Sequence, residues 1–379
     1  LLTLMFLVLL FSCEEEKKAG YVDEAPVVAC KVMIDGEELI ELNPALLKDT
    51  VKFPLSYFTD DLEIIKLDNR EEALVNAYRV LASENYFLTM SSNNIPCKLF
   101  DRQGRYICDI GAIGQGPGEY QYLYSGQIDE VNNRIYLSQY SGESLLTYDL
   151  EGNPLNPVPL PQRTFKPIFQ ANAETILIMS LPHPTVPSPI WVQNLKGDIL
   201  YEIPSANIDF EFDFSTEIFS YQNLKGQIDL SFWTWKPRTD TLFHLDLQGK
   251  RLIPRFTADF RGEALQPHFY AEWPGYYLGS TSTIVTVSRQ NEEGEMEMYK
   301  EGKEPSYYIV DKNSLKGAYY HIYNDFLGGE RANPFPFING YMIECVDPGN
   351  LEERIEKALE SGQLTEKNRT WLTEVLENM

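Results

Sequence analysis

Apolar and polar residues alternate in short runs along most of this chain, and polar turns of one kind separate the runs. The runs Tyr86-Phe87-Leu88-Thr89-Met90, Arg134-Ile135-Tyr136-Leu137-Ser138, Thr175-Ile176-Leu177-Ile178-Met179 and Thr283-Ile284-Val285-Thr286-Val287 have the length and β-branched content of strands. The turns are Asp101-Arg102-Gln103-Gly104, Asp149-Leu150-Glu151-Gly152, Asn194-Leu195-Lys196-Gly197 and Asp246-Leu247-Gln248-Gly249, with a weaker copy at Asp311-Lys312-Asn313-Ser314. An Asp or Asn side chain there can cap its own backbone, and glycine accepts a positive φ without steric cost. The four glycines are spaced by 48, 45 and 52 residues. Units of about four strands at that period are the blades of a β-propeller, because a single blade cannot bury both of its faces.

The repeat sets the expected organisation. Residues 60–348 hold 289 positions, which at about 48 per unit predicts a six-bladed, all-β propeller, with seven blades as the alternative. The first unit would contain Leu62–Leu67 and the last Gly340–Val346. Residues 14–59 are expected to be a tether and lead-in segment. Beyond Pro348 the apolar positions Leu351, Ile355 and Leu359 recur every fourth residue, so residues 349–379 are expected to form a short helical tail.

The amino terminus carries an address. Leu1 to Phe11 are apolar except Thr3, too short to cross a bilayer but suited to the hydrophobic region of a signal peptide. A basic region is expected upstream of Leu1. Leu9-Leu10-Phe11-Ser12-Cys13 resembles a lipobox, which implies lipidation of Cys13 and residues 1–13 as signal peptide and anchor. The block Glu14-Glu15-Glu16-Lys17-Lys18 cannot enter hydrocarbon. It resembles the surface-export signal of Bacteroidetes lipoproteins, and a plain linker facing the periplasm is the alternative. The expected location is the cell envelope, on the outer membrane and open to surface exposure, with the lipid as the only membrane contact.

Charge narrows the partners. The chain holds 32 Lys plus Arg against 56 Asp plus Glu, a net charge of −24, so nucleic acid is excluded as a natural ligand by repulsion of its phosphates. The expected partner is a glycan, peptide or protein, bound by a monomer. No cofactor is expected.

The segment Ile110-Gly111-Ala112-Ile113-Gly114-Gln115-Gly116-Pro117-Gly118-Glu119-Tyr120 resembles the glycine-rich signature of six-bladed propeller lipoproteins of Bacteroidetes, a family similar to NHL-repeat propellers. Thr239-Asp240-Thr241-Leu242-Phe243 resembles a strand start of the same family. The resemblance implies the fold and the lipid anchor, and it implies no catalytic residues.

The remaining motifs are weighed on their chemistry. The glycines at 111, 114, 116 and 118 lack a following Gly-Lys-Ser/Thr, and Pro117 removes an amide donor, so a tight inter-blade connection with Glu119 and Tyr120 packed back is expected rather than a phosphate loop. His183, His244, His268 and His321 are scattered, with none at metal-binding helical spacing, and no metal site is expected. Ile208–Phe214 alternates strictly, which would place Asp209, Glu211 and Asp213 on one strand face, either solvated or gripping a cation. Two aromatic clusters, residues 232–238 and 268–277, fall where loops are expected. Within them Trp235, Arg238, His268, Trp273, Tyr276 and Tyr277 are the candidate ligand-binding residues at the channel-face loops, with core packing as the competing use. A hydrolase or lyase acting on extracellular polysaccharide, with carboxylates such as Asp240 or Glu272, is the rival function. Catalytic residues cannot be assigned from the sequence. Finally, Cys97 and Cys108 flank the Asp101–Gly104 turn symmetrically, which would place them opposite each other in a hairpin, as a disulfide or as two packed thiols.

Overall fold

The computed structural model describes residues 5–10, 20–34, 36–91, 95–183, 188–204, 216–222, 227–233, 241–259, 268–281, 285–290, 296–301, 306–332, 337–338 and 341–379. The fold is all-β, of the propeller type, with two short helices at the carboxyl end. Among the described residues five blades are built from strands that follow one another in the chain. Blade 1 comprises Ala77–Ala82, Tyr86–Ser91, Cys97–Asp101 and Tyr106–Ile110. Blade 2 comprises Leu123–Asp129, Arg134–Gln139, Ser141–Tyr148 and Val158–Phe165, and blade 3 Ile168–Ala171, Thr175–Met179, Ile190–Asn194 and Ile199–Glu202. Blade 4 comprises Glu217–Gln222, Ile228–Trp233, Thr241–Asp246 and Arg251–Ala258, and blade 5 His268–Trp273, Tyr276–Thr281, Ser306–Asp311 and Gly317–Asn324.

The expectation of six or seven blades is therefore corrected to five. Dividing the length by the period counted residues that do other work. Phe337–Ile338, Tyr341–Val346, Met5–Leu10 and Asp61–Lys66 form a sheet assembled from remote parts of the chain rather than a consecutive blade. Val285–Gln290 and Met296–Glu301 form a separate ribbon between two strands of blade 5. The lead-in segment is corrected as well: Ala29–Ile34 and Glu37–Leu42 are strands, the second pairing in parallel with Arg251–Ala258 of blade 4.

The chain divides into two compact units, one of Leu1–Lys18, Phe53–Ser205 and Ile322–Met379, the other of Ala19–Lys52 and Ala206–His321. In the first, the blade turns form as their chemistry dictates. Asp101 Oδ1 accepts from the amides of Gln103 and Arg105 at 2.9 and 3.0 Å, and Asn194 Oδ1 accepts from Lys196 and Asp198 at 2.8 and 3.0 Å. Gly104, Gly152 and Gly197 have φ of +79°, +85° and +90°. Each also abuts the outer strand of the preceding sheet: a Cβ would lie 2.2 Å from Lys66 O, 2.5 Å from Asp109 O and 3.0 Å from Pro159 O respectively. Glycine thus supplies both the left-handed turn and the close approach of sheet to sheet. The fourth turn differs, since positive φ falls on Lys250 rather than on Gly249.

Cores form between sheets. In the first unit Trp191, Tyr136, Leu145, Ile176 and Ile178 form a fully buried cluster across blades 2 and 3. In the second unit Phe256, Tyr270, Tyr277 and Tyr308 pack with Val28, Leu42 and Leu242. The glycine-rich segment is a short connection in which Ala112–Ile113 pairs with Glu119–Tyr120. The buried Tyr120 hydroxyl accepts from Cys97 N at 2.8 Å and donates to Ile110 O at 2.7 Å. The tail is α1 (Pro348–Glu360), capped by Asp347, and α2 (Glu366–Glu377), capped by Thr365.

The symmetric pairing of Cys97 with Cys108 is corrected. A register shift between Leu99 and Phe100 places Cys97 opposite Ile110 and Cys108 opposite Leu99. The cysteines are diagonal neighbours and both thiols are free.

Candidate functional site

Structure redistributes the residues singled out by sequence. Trp235, Arg238, Asp240 and the Ile208–Phe214 run lie outside the described residues, as does Cys13. His268 opens the strand His268–Trp273, and its side chain is likewise outside them. Trp273, Tyr276 and Tyr277, expected in a loop, belong to a strand hairpin whose turn is only Pro274-Gly275. They are 6%, 9% and 5% exposed, and Tyr277 stacks on Phe256 with ring centroids 4.8 Å apart. The structure thus places these three rings in the core of the second unit, because a two-residue turn leaves no loop in which to display them.

Exposed aromatic rings gather elsewhere, in the first unit, at the end of blades 1 to 3 where the chain passes from blade to blade. Tyr78 sits at a register shift in the first strand of blade 1 and Tyr124 at one in the first strand of blade 2. Tyr122 precedes that strand, and Tyr140 lies between the second and third strands of blade 2. Tyr78 and Tyr122 are 53% and 76% exposed. The rim is nonetheless held firmly. The Tyr78 hydroxyl donates to Leu123 O at 3.1 Å, Arg79 Nη1 donates to Tyr124 O at 2.7 Å, and Tyr140 N donates to Tyr122 O at 3.0 Å. The Tyr124 and Tyr140 rings meet edge to face, 6.0 Å between centroids. Lys166, buried and with φ of +47°, donates its amide to Tyr140 O and lays its ammonium 5.4 Å from the Tyr140 ring centroid. Beneath the rim, Ser125 and Ser138 hydroxyls hydrogen-bond to each other and to Pro167 O. Next to Lys166, the Phe165 ring stacks on His183 at 4.3 Å.

A second constellation lies between blades 4 and 5, within the second unit. Asp229 and His244 face each other across neighbouring strands, and Glu272 comes from the first strand of blade 5. Glu272 Oε2 hydrogen-bonds His244 Nε2, and Asp229 Oδ1 lies 3.4 Å from the same nitrogen. Lys312, in the turn after Asp311, donates to Glu272 Oε1 and to Trp273 O, the latter at 2.8 Å, over the face of Tyr277. Burial, then the charge of Glu272, pushes the Asp229 carboxyl up to about 8, against the pull of Lys312. Burial acts on Glu272 in the same direction, but bonding to His244 and the Lys312 charge outweigh it and hold that carboxyl below its ordinary range. Among the described residues, Asp229, His244 and Glu272 are the group able to hold a metal ion, their ligand atoms all lying within 4.8 Å of one another.

The family model for a domain of unknown function, DUF4934, matches residues 37–378. The chain belongs to the DUF4934 family. Solved structures that it resembles include a protein described as exported from Bacteroides fragilis NCTC 9343, 18% identical, covering 71% of this chain and 78% of that one at a TM-score of 0.48. Another, from Bacteroides caccae, is 12% identical over 83% of this chain and 93% of that one, TM-score 0.39. A member of the DUF4221 family from Bacteroides vulgatus ATCC 8482 is 10% identical over 75% and 96%, TM-score 0.41. No curated protein matches the chain.

In this DUF4934 domain the sequence pointed to Glu272 but not to its neighbours. Asp229, His244 and Lys312 are distant in sequence, and only strand pairing brings them together. The two carboxylates turn toward one imidazole nitrogen, the three ligand atoms lying within 4.8 Å of one another, closer than the roughly 5 to 9.5 Å of a glycosidase pair. The raised Asp229 carboxyl has a stability consequence. The folded chain keeps a proton there between about pH 4 and pH 8 that the unfolded chain releases, so stability falls as pH rises through that window. In chelator-treated protein, replacing Asp229 with Asn should remove about 1 kcal/mol of the loss between pH 6 and pH 7. Urea melts at the two pH values check this, and an unchanged pH slope in the variant would show that Asp229 is ionised.

Proposed function

We propose that this chain is a lipid-anchored, extracytoplasmic binding propeller that takes a glycan across the tyrosine rim of blades 1 and 2. The observation that carries the proposal is the exposure of Tyr78 and Tyr122 beside Tyr124 and Tyr140 on a hydrogen-bonded backbone. Large rings are normally withdrawn from water, and exposed rings on a hydrogen-bonded backbone, with two side-chain torsions each, lose little entropy on stacking against a sugar face. Their hydroxyls, and Arg163, whose Nε donates to Ser141 Oγ next to Tyr140 at 3.0 Å, supply polar contacts at the edge of such a platform. The glycan is favoured over a peptide because the rim offers flat rings rather than an open strand edge or an apolar groove. A glycan and peptide array probed with the purified chain tests the class of ligand. Enrichment of glycans is expected, and binding confined to peptides would displace this proposal.

Export and anchoring rest on the sequence Leu9-Leu10-Phe11-Ser12-Cys13 and on the charged block that follows it; processing at Cys13 would remove residues 1–12, and with them the strand Met5–Leu10 that joins Asp61–Lys66 to Tyr341–Val346 in the unprocessed chain. An outer-membrane location facing the cell surface fits that block. A Cys13→Ala variant expressed in a bacterial host is expected to take up no labelled fatty acid, whereas the parent chain is labelled. Equal labelling of both would rule out Cys13 as the anchor.

A further inference from the structure

We infer that Asp229, His244 and Glu272 form a zinc site at the junction of blades 4 and 5, with Lys312 fixing Glu272 from the side away from the ion. The inference does not depend on the tyrosine rim. It begins with convergence: Glu272 Oε2 and Asp229 Oδ1 both approach His244 Nε2, and the three ligand atoms lie within 4.8 Å of one another. In a tetrahedral zinc site with bonds of about 2.0 to 2.1 Å, ligand atoms stand about 3.3 Å apart. The Asp229–His244 separation is already 3.4 Å, Glu272 Oε2 would withdraw from hydrogen-bond contact with the imidazole, and all three atoms lie within 4.8 Å of one another.

The second observation is Asp229 itself. Its side chain is only 3% exposed, and Oδ1 accepts no hydrogen bond. Buried carboxyl oxygens, protonated or ionised, are almost always satisfied, by donors or by metals, because an unmet one costs a few kcal/mol. The nearby ammonium does not meet this need. Lys312 is bound to Glu272 Oε1, Trp273 O and the Tyr277 face, and it leaves Oε2 pointing at the trio. Lys312 therefore orients the carboxylate through one oxygen while the other stays available, as outer partners of metal ligands commonly do.

The donor set selects the ion. One imidazole and two carboxylates suit zinc, whereas calcium requires six to eight oxygens and magnesium avoids imidazole. The His244 and Lys312 side chains are 15% and 21% exposed, so the site lies near enough to solvent for an ion to enter and for water to complete its coordination. The strands fix the three ligands, since Asp229 and His244 are directly paired and Glu272 is paired with Tyr277 of the adjacent strand.

The test titrates the full chain, stripped with chelator, with Zn²⁺ by calorimetry, and reads Co²⁺ by its visible absorption. One ion per chain is expected, with Co²⁺ giving visible bands that Zn²⁺ abolishes. His244→Gln and Asp229→Asn should each weaken Zn²⁺ by about 100-fold or more. Lys312→Met is expected to weaken it by about 10-fold, the range for loss of an orienting partner. Asp229→Asn keeps the side-chain shape, so it carries the test if His244→Gln lowers the metal-free melting temperature. Absence of stoichiometric binding overturns the inference. Stoichiometric binding undiminished in Asp229→Asn overturns it equally, by placing the ion elsewhere.

Discussion

Replacing Trp191 with alanine is expected to lower the unfolding free energy of the chain by about 4 kcal/mol, seen as a large fall in the urea midpoint. Trp191 is fully buried in blade 3 among Tyr136, Leu145, Val158, Phe169, Ile176 and Ile178. Its neighbours come from the strands of two blades, so they cannot collapse far into the space vacated by the indole. The loss is also polar. Trp191 Nε1 donates to Gln193 Oε1 at 2.9 Å, and Gln193 Nε2 donates onward to Pro159 O at 2.9 Å. Gln193 is fully buried, so removing the indole leaves its oxygen without that donor. Trp191→Phe retains most of the volume and should cost about 2 kcal/mol, chiefly through the lost hydrogen bond. A Trp191→Ala chain with an unchanged midpoint would mean that blades 2 and 3 do not share the core described.

The next largest effect is expected at Gly104, where alanine should cost about 3 kcal/mol. Two causes add: a φ of +79° that disfavours any side chain, and a Cβ that would lie 2.2 Å from Lys66 O. The obstacle is a main-chain oxygen, which cannot swing aside as a side chain does. Gly275 separates the causes, since its φ is +77° but nothing lies within 4 Å of the added Cβ. Gly275→Ala should therefore cost about 1 kcal/mol, the conformational part alone. Equal costs for the two variants in parallel urea melts would show that the sheet-to-sheet approach at Gly104 contributes nothing.

These two residues mark what the sequence made legible. The Asp-x-x-Gly turns are local: an Asp or Asn oxygen bonding amides two to four residues on, and a glycine beyond it, are written within five positions, and from their spacing the propeller class follows. The number of blades is not local. It was overcounted because Asp61–Lys66 and Tyr341–Val346 join one sheet across nearly the whole chain, which no period records. The cysteine pairing failed for a related reason, since a single bulge between Leu99 and Phe100 shifts every pair beyond it.

Site residues were legible only where neighbours in sequence are neighbours in space. Pro274-Gly275 suggests a loop displaying aromatic rings, but a hairpin turn has the same two letters and buries the flanking rings. Tyr78, Tyr122, Tyr124 and Tyr140 come from two blades, and the register shifts at Tyr78 and Tyr124 are invisible in composition. A signal for them did exist: Tyr122 and Tyr124 lie two apart on either side of a strand start, and Tyr140 directly follows the next strand. For Asp229, His244 and Glu272 there was none, because the ligands are separated by 15 and 28 residues and meet only across paired strands and adjacent blades.

The central claim is that ligand binding belongs to the exposed tyrosines of the first unit. Its most direct test is calorimetric affinity for the best glycan from the array, measured on the parent chain and on Tyr122→Ala and Tyr140→Ala. Each variant should lose about 1 to 3 kcal/mol of binding, roughly 5- to 150-fold, while Tyr122→Ala keeps its melting temperature. Parent affinity retained in both variants would contradict the account.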